Sequence, residues 1–219
     1  MAEKAMVVGG TGLIGNLLVR ELIEREGGKG LHLLFRRPYR EDVGAAKIHV
    51  QLQENWPATI KKVKPKTVIS CLGTTIKKAG SQEAFAAVDR DLVASVASAA
   101  KKSGTRHFLC VTSTMADSGA SSFYLKTKGQ AEDVLQELNF DRLDIVRPGL
   151  LRGDRTNDFR VGERLAIAAS PVMDILLHGK FRRYRSIHAE NVATAMANLI
   201  GAEPDGAHIH ENDQIMDLV

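Results

Sequence analysis

The sequence predicts an α/β protein built on a doubly wound parallel sheet. Short apolar runs alternate with amphipathic stretches through about the first 150 residues, which is the pattern of repeated strand–helix–strand units. The apolar runs are continuous, as in strands that helices cover on both faces. A glycine-rich stretch at residues 9–15 joins the first run to the first amphipathic stretch. Together, these observations predict parallel strands with helices on both sides.

Each predicted strand is an apolar run that ends at a turn signal. The first, residues 5–8, ends at a glycine pair. The last, residues 142–147, ends at Pro148, which cannot continue a strand ladder. The other four predicted strands are residues 31–35, 47–52, 67–72 and 107–112.

The predicted helices carry apolar residues at helical spacing. From Leu13, leucine and isoleucine recur every three or four residues until Gly27 ends the helix. Ser81 is an N-cap for a long alanine-rich helix that extends to about Lys102. Further helices are predicted from about Ser122 to Leu138 and near residues 160–169 and 189–201.

Length and composition favour one domain. The chain has 219 residues, 44% of them hydrophobic, which is enough to bury a core without disulfides or a structural metal. We expect a single domain over residues 1–219. Its dinucleotide-binding core should occupy about residues 1–150, and a small C-terminal segment, about 150–219, should cover the substrate.

Charge and apolar patterning argue against several other classes of protein. The net charge is +4, but the basic residues are scattered and only 5% of residues are aromatic, so we expect no nucleic-acid partner. No apolar run approaches the ~18–20 residues of a membrane helix, and we see no secretory signal. The two cysteines, Cys71 and Cys110, are interpreted as reduced packing residues, which predicts a cytoplasmic protein. The seven histidines lack metal-ligand spacing, and His208 and His210 are assigned to a terminal polar strand.

The glycine-rich stretch Gly9-Gly10-Thr11-Gly12-Leu13-Ile14-Gly15 fits both G-x-x-G-x-x-G and G-x-G-x-x-G. Glycines allow a tight turn, close approach of the backbone to a pyrophosphate, and packing of the helix on the sheet. The helix that follows offers free N–H groups and a positive dipole end to the phosphates. This context predicts a dinucleotide site, and the alternative is a glycine turn without a ligand.

The second predicted strand is followed by Arg36-Arg37. An acidic residue here would bind the ribose 2′-hydroxyl of NAD, whereas arginine matches the 2′-phosphate of NADP. The pair therefore favours NADP over NAD. The alternative is a solvated loop pair.

Tyr124 and Lys128 form a Y-x-x-x-K motif at a predicted helix start, and residues four apart share one helix face. An ammonium beside a phenol lowers the phenol pKa from ~10, so Tyr124 could exchange a proton while hydride moves to or from a nicotinamide. Ser113 follows the fifth strand and could hold the substrate carbonyl. The alternative is a helix-face tyrosine beside a solvated lysine.

These residues together resemble the short-chain dehydrogenase/reductase superfamily over essentially the whole chain. In detail the chain is similar to the atypical or extended branch. More narrowly, it resembles the Tat-interacting-protein oxidoreductase family and its bacterial NAD(P)-binding relatives. The narrower resemblance rests on residues 70–75, 78–81, 88–91, 123–124, 128–129 and 147–151.

The resemblance implies a Rossmann sheet, a bound NADP and a catalytic triad of Ser113, Tyr124 and Lys128. It places Leu72 and Gly73 beside the cofactor, and it puts Asp89 where extended members often have asparagine. Arg147 has two interpretations, a cofactor anchor or a salt bridge. The full set expected around the cofactor is Gly9, Thr11, Gly12, Leu13, Ile14, Gly15, Arg36, Arg37, Cys71, Leu72, Gly73, Thr74, Asp89, Thr112, Lys128, Arg147 and Pro148.

The leading functional hypothesis is an NADP-dependent oxidoreductase that acts on a small carbonyl or alcohol substrate. The alternative is an NADPH-binding regulatory or sensor protein that acts through a protein partner with little or no catalysis. A third hypothesis is an epimerase or dehydratase that retains NAD, against which Arg36 and Arg37 argue. A homodimer through the alanine-rich helix at residues 84–100 is a further expectation.

Overall fold

Seven parallel strands form one central sheet in the computed structural model, which describes residues 4–153, 177–203 and 205–219. In chain order the strands are β1 (Ala5–Val8), β2 (Leu31–Phe35), β3 (Lys47–Val50), β4 (Thr67–Ser70), β5 (His107–Val111), β6 (Arg142–Val146), β7 (Leu151–Arg152), β8 (Ile187–His188) and β9 (Gly206–His210). The sheet order is β3-β2-β1-β4-β5-β6-β9, and β7 pairs with β8 in a separate small ladder. The predicted doubly wound parallel sheet is confirmed.

Eight helices of the described residues accompany the strands. They are α1 (Leu13–Glu26), α2 (Trp56–Val63), α3 (Ile76–Ala79), α4 (Gln82–Ala86), α5 (Val93–Lys102), α6 (Phe123–Glu137), α7 (Ala189–Leu199) and α8 (Asn212–Asp217). A π-helical turn, Ala87–Leu92, joins α4 to α5. Short 3₁₀ helices occupy Gln53–Asn55 and Gly179–Tyr184. In the described part of the chain, no helix is long and apolar enough to cross a membrane.

Two apolar cores lie on the two faces of the sheet, because the strands are apolar on both sides. On one face α1 and α7 pack against the sheet with side chains such as Leu18 and Met196. On the other face α2, α5 and α6 contribute side chains such as Ile60, Val96 and Leu135. All four residues of β1 and all five of β2 are buried. At about 25 cal/mol per Å² of apolar surface, this double burial is the main force that holds the layers together.

The chain adds β2 and β3 on one side of β1 and then crosses to add β4 on the other side. The strand order therefore reverses between β1 and β4. The carboxyl ends of β1, β4 and β5 therefore lie side by side at one edge of the sheet. In open α/β sheets, ligands bind in the crevice outside the carboxyl ends of the strands, at the point where the strand order reverses. The loops that follow these three strands, residues 9–12, 71–75 and 112–122, share that edge.

The helix predicted from Ser81 to about Lys102 is confirmed, and it contains one π-helical turn. Ser81 caps α4 through its hydroxyl, which accepts a hydrogen bond from the Ala84 N–H at 3.1 Å, and the backbone stays helical through the π turn into α5. The predicted strand 67–72 ends early, at Ser70, because the next residues turn across the glycine loop. The helix predicted near residues 160–169 lies outside the described residues.

Two elements of the C-terminal segment belong to the layers of the sheet. α7 packs on α1, and β9 adds to the sheet beside β6 with Val146 opposite His210. Both elements have apolar or hydrogen-bonding partners in the core, and a substrate cover formed by this segment stays a prediction. The terminal strand with His208 and His210 is confirmed.

One buried cluster of charges lies within this C-terminal part of the sheet. The Asp144 carboxylate is fully buried, with His107 Nε2 at 2.7 Å and Arg142 Nε at 2.6 Å from Oδ2. Arg142 Nη2 at 2.9 Å and His210 Nε2 at 2.7 Å contact Oδ1. Burial alone would raise the pKa of the Asp144 carboxyl, but hydrogen bonds from the two imidazoles and the guanidinium hold that pKa well below its ordinary value. The cluster ties β5, β6 and β9 together.

Candidate functional site

The glycine loop after β1 is a tight turn that only glycine can make at two positions. Gly9 has φ +80°, and a Cβ there would lie 2.5 Å from the Cys71 carbonyl carbon. A Cβ on Gly15 would lie 2.3 Å from the Gly9 carbonyl oxygen. The loop is closed by a hydrogen bond from the Gly12 N–H to that same oxygen at 3.1 Å. Glycine at positions 9 and 15 therefore lets the loop pack against both β4 and α1.

The N-terminus of α1 is suited to an anion. Gly12 is its N-cap and supplies no side-chain cap, and the first turn holds no acidic residue. Thr11 and Gly12 are exposed, Leu13 is half-buried, and Ile14 is buried in the core. The first N–H groups of a helix have no hydrogen-bond partner within the helix, and they lie at the positive end of its dipole. These features fit a dinucleotide pyrophosphate.

Arg36 and Arg37 are exposed at the end of β2, next to the glycine loop. The turn that follows them is fixed over α1, because the Asn16 side-chain amide donates to the Tyr39 hydroxyl at 2.8 Å. The Tyr39 ring also stacks on Phe35 with centroids 4.7 Å apart. The structure thus places both arginines after β2, at the edge of the sheet that carries the glycine loop.

The loop after β4 runs along the same edge. The Cys71 N–H donates to the Val8 carbonyl at 2.9 Å, which extends the contact between β1 and β4. Leu72 is buried and Gly73 is exposed. The Thr74 N–H donates to Asp89 Oδ2 at 2.8 Å, so this loop is tied to the π-helical turn. Cys71 is half-buried, and burial raises the pKa of its thiol, as expected of a packing residue.

Lys128 forms a buried ion pair within the site. Its Nζ lies 2.7 Å from Asp89 Oδ1, with side-chain exposures of 6% for Lys128 and 0% for Asp89. Burial alone would lower the pKa of the Lys128 ammonium, but Asp89, followed by Tyr124, outweighs it and raises that pKa. Lys128 therefore remains an ammonium ion at neutral pH.

Tyr124 and Ser113 lie on the segment that runs from the end of β5 into α6. Tyr124 is half-buried one helical turn before Lys128, with its ring centroid 5.4 Å from that of Phe85. Ser113 is half-buried, two residues beyond the end of β5. The loop between them lies directly on α6, because a Cβ on Gly129 would be 2.1 Å from the Ser118 nitrogen. The structure thus gathers Ser113, Tyr124 and Lys128 at the carboxyl edge of the sheet.

A second buried ion pair, between Glu132 and Arg147, lies at the same edge of the sheet. Glu132 was not among the residues predicted from the sequence. Glu132 is buried on α6, and the Thr112 hydroxyl donates to its Oε1 at 2.5 Å. Arg147 Nε donates to both carboxylate oxygens at 3.0 and 3.1 Å. Of the two interpretations of Arg147, the structure shows the salt bridge. Pro148 is buried beyond it, and its carbonyl accepts from the Thr114 N–H at 3.0 Å.

The spacing in α6 is the signal that would have found Glu132. Tyr124, Lys128 and Glu132 recur every four residues and lie along one face of the helix. Thr112 directly precedes Ser113 in the chain. Glu132 therefore connects α6, which carries Tyr124 and Lys128, to the segment that carries Thr112 and Ser113.

A family model described as NAD(P)H-binding matches residues 9–203 of this chain. The chain belongs to this NAD(P)H-binding family. The match includes the glycine loop, the segment with Tyr124 and Lys128, and all of α7. The resemblance to atypical short-chain dehydrogenases is confirmed, and with it a Rossmann fold that binds NAD or NADP.

Curated relatives extend the comparison. "Protein FMP52, mitochondrial" of Meyerozyma guilliermondii is 37% identical over 156 residues, which are 69% of this chain and 66% of that protein. The protein of the same name from Coccidioides immitis is 32% identical over 218 residues, 91% of this chain and 88% of that one. "Protein HTATIP2" of Rattus norvegicus is 48% identical over 96 residues, 44% of this chain and 39% of that one.

Solved structures with the same fold hold either cofactor. MoeE5 in complex with UDP-glucuronic acid and NAD has a TM-score of 0.71 at 18% identity, covering 94% of this chain and 75% of that one. A dTDP-4-dehydrorhamnose reductase from Bacillus anthracis in complex with NADP has a TM-score of 0.64 at 14% identity, covering 97% and 75%. At these identities the likeness shows the fold alone.

The expectation of a cytoplasmic protein is wrong. Curated relatives from Meyerozyma guilliermondii, Coccidioides immitis and Candida albicans are all named mitochondrial. The error lies in the argument from Cys71 and Cys110, because reduced cysteines indicate a reducing compartment without identifying which one.

Proposed function

We propose that this protein is an NADP-dependent oxidoreductase that reduces a small carbonyl compound or oxidises the corresponding alcohol. The observation that carries the proposal is the buried Lys128 ammonium one helical turn after Tyr124, at the edge where the glycine loop ends. A phenol beside a fixed cation can donate or accept a proton. A dinucleotide bound by the glycine loop at the same edge would transfer the hydride.

The chain's own residues divide the work of binding. The glycine loop and the N-terminus of α1 would hold the pyrophosphate, because the first N–H groups of a helix have no partner within it. Arg36 and Arg37 would pair with a 2′-phosphate, which distinguishes NADP from NAD. Gly73, exposed beside Asp89 and Lys128, would leave room for the nicotinamide ribose.

Bound NADP supplies or accepts the hydride. In the direction of reduction, the Tyr124 hydroxyl donates its proton to the carbonyl oxygen, and Ser113 holds that oxygen with a hydrogen bond. Lys128 keeps a positive charge beside the phenol throughout. General acid catalysis of this kind contributes about 10²–10⁴-fold to the rate.

Cofactor choice is the first test. We expect NADPH to bind with micromolar affinity in a fluorescence titration and NADH to bind more weakly. Arg36→Ala should weaken NADPH binding about tenfold, which corresponds to ~1.4 kcal/mol, and leave NADH binding unchanged. Arg40→Ala, another exposed arginine of the same turn, is the control and should change neither. Equal loss of both nucleotides in Arg36→Ala would contradict recognition of the 2′-phosphate.

Turnover is the second test. NADPH oxidation with a panel of aldehydes and ketones should fall at least about 10²-fold in Tyr124→Phe, while NADPH binding is retained. Identical rates in the parent protein and in Tyr124→Phe would exclude this mechanism.

A further inference from the structure

A β-turn begins at the serine of the proposed site and holds one residue in an uncommon backbone conformation. The Ala116 N–H donates to the Ser113 carbonyl at 3.2 Å, which closes the turn over residues 113–116. Met115, the third residue of the turn, has φ +63°. Glycine or asparagine ordinarily takes such a position, because a larger side chain crowds the backbone there. The chain therefore keeps a long side chain at a place where the backbone favours glycine.

Packing of the folded chain does not account for this methionine. Among the described residues, the Met115 side chain belongs to neither apolar core. It is 52% exposed, whereas the next residue, Ala116, is buried. Residues in sparsely populated backbone conformations concentrate at ligand sites, where the surrounding structure holds them in place. Met115 thus offers an apolar surface to a ligand two residues beyond Ser113.

Leu150 presents a second apolar side chain beside this turn. The contact between β5 and β6 continues past both strands, because the Thr114 N–H donates to the Pro148 carbonyl at 3.0 Å. Met115 and Leu150 follow these two partners by one and two residues. Leu150 is 38% exposed, and its carbonyl accepts the Ile187 N–H at 2.9 Å, which fixes its backbone. Two exposed apolar side chains therefore follow neighbouring strands at the carboxyl edge of the sheet.

The turn offers no charged side chain to a ligand. Its four residues, 113–116, are serine, threonine, methionine and alanine. Asp117, which follows, is exposed and accepts the Gly119 N–H at 2.8 Å within its own loop. On the side of β6, Arg147 is paired with Glu132. A phosphate or a polyhydroxylated ring would exchange water for apolar surface here, which costs free energy. The surface therefore suits an apolar chain.

We propose that Met115 and Leu150 form an apolar wall for the substrate, and that the substrates are aldehydes or ketones with a hydrocarbon chain. The carbonyl group lies at Ser113, and the chain lies along the two side chains of the wall. This inference rests on the proposed function and names its substrate class. Methionine suits such a wall, because its unbranched and polarizable side chain adapts to chains of different shape. Both residues determine specificity and exchange no proton.

Chain length is the first measurement. With NADPH present, kcat/KM should rise about two- to fourfold for each methylene group from propanal to octanal, since full burial of one methylene gives about fourfold. Glyceraldehyde has the carbon chain of propanal with two added hydroxyl groups, and it should react more slowly than propanal. A series without dependence on chain length, or a preference for glyceraldehyde, overturns the proposal.

Substitutions in the wall should change this selectivity. Met115→Gln keeps the length of the side chain, so we expect kcat/KM for octanal to fall about tenfold and that for acetaldehyde to change less than about twofold. Leu150→Gln should have the same selective effect. Met216→Gln is the matched control, because Met216 is a 44% exposed methionine on α8, and it should change neither rate. Equal losses for octanal and acetaldehyde in Met115→Gln, or an unchanged octanal rate in either wall variant, overturn the proposal.

Met115→Gly keeps the test decisive if Met115→Gln does not fold. Glycine adopts φ +63° without strain, so this variant should fold. It removes the whole side chain and should show the same selective loss for octanal.

Binding of octanol tests the wall without turnover. Titration calorimetry in the presence of NADPH should show octanol binding with a negative heat-capacity change, which marks burial of apolar surface. Met115→Gly should weaken this binding about tenfold, and Met216→Gln should leave it unchanged. A protein that binds no octanol overturns the proposal.

The two readouts separate this inference from the proposed function. Octanol binding that depends on Met115, in a protein that reduces no carbonyl compound, would overturn the proposed function and support the apolar site. Carbonyl reduction by a protein whose octanol binding is unchanged in Met115→Gly would overturn the inference alone.

Discussion

Two fully buried carboxylates in this protein differ in how completely they are satisfied. Asp144 receives contacts on both oxygens from His107, Arg142 and His210. Asp89 receives one N–H on one oxygen and faces the Lys128 ammonium with the other. A fully satisfied buried network makes an arrangement rigid, whereas a partly satisfied one retains capacity for another donor. The comparison indicates that the first carboxylate serves the fold, and we propose that the second serves the dinucleotide site at the carboxyl ends of β1 and β4.

The largest effect that sharpens this comparison is expected at Asp144. Asp144→Asn leaves the Arg142 charge buried without its counterion, so it should lower the free energy of unfolding by about 3–5 kcal/mol. Denaturant unfolding measures this. Asp141→Asn removes a carboxylate from an exposed pair with Arg106 and should cost less than about 1 kcal/mol. Equal costs for the two substitutions would contradict a structural role for the Asp144 cluster.

The pH dependence of stability should show the same cluster. The folded pKa of Asp144 lies below its unfolded value, so its contribution is fully present above the unfolded pKa of ~4 and is lost as the pH falls toward the folded pKa. We expect the free energy of unfolding to decline more steeply below pH ~4 in the parent protein than in Asp144→Asn. Parallel acid limbs in the two proteins would contradict this assignment.

A smaller effect is expected at Glu132, which fastens α6 to the ends of β5 and β6. Glu132→Gln weakens the contacts with Arg147 and Thr112 and should cost about 1–3 kcal/mol of stability. Since it also loosens Tyr124 relative to Ser113, kcat for carbonyl reduction should fall while the KM for NADPH stays nearly constant. Gln136→Ala, one turn further along α6, is the control for a general effect on the helix. A fall in kcat of the same size in that control would deny Glu132 a positioning role.

Most of the fold could be predicted because its strands are apolar on both faces. The runs at β1, β2 and β4 are continuous apolar segments next to glycine, proline or charged turns, and local pattern is enough to find them. The loop at Gly9–Gly15 was found for a related reason. The steric requirement for glycine arises from atoms close by in the loop and at its ends, so the spacing of the glycines is visible in the sequence.

The parts that could not be predicted depend on contacts between distant residues. Arg142 and Asp144 interrupt the apolar pattern of β6, and only the placement of His107 and His210 beside them explains their burial. The π-helical turn between α4 and α5 leaves no glycine or proline in the sequence to mark it. It contains Asp89, which pairs with Lys128 on another helix.

The π-helical turn at Ala87–Leu92 makes the length of the chain, as well as its side chains, a determinant of the site. A π turn holds one residue more than an α turn of the same span, and each residue rotates an α-helix by about 100°. Removing one residue here would allow α4 and α5 to fuse into a regular helix, but Asp89 would then point away from Lys128. A chain one residue shorter in this turn would therefore keep its acid in the sequence and lose it from the site.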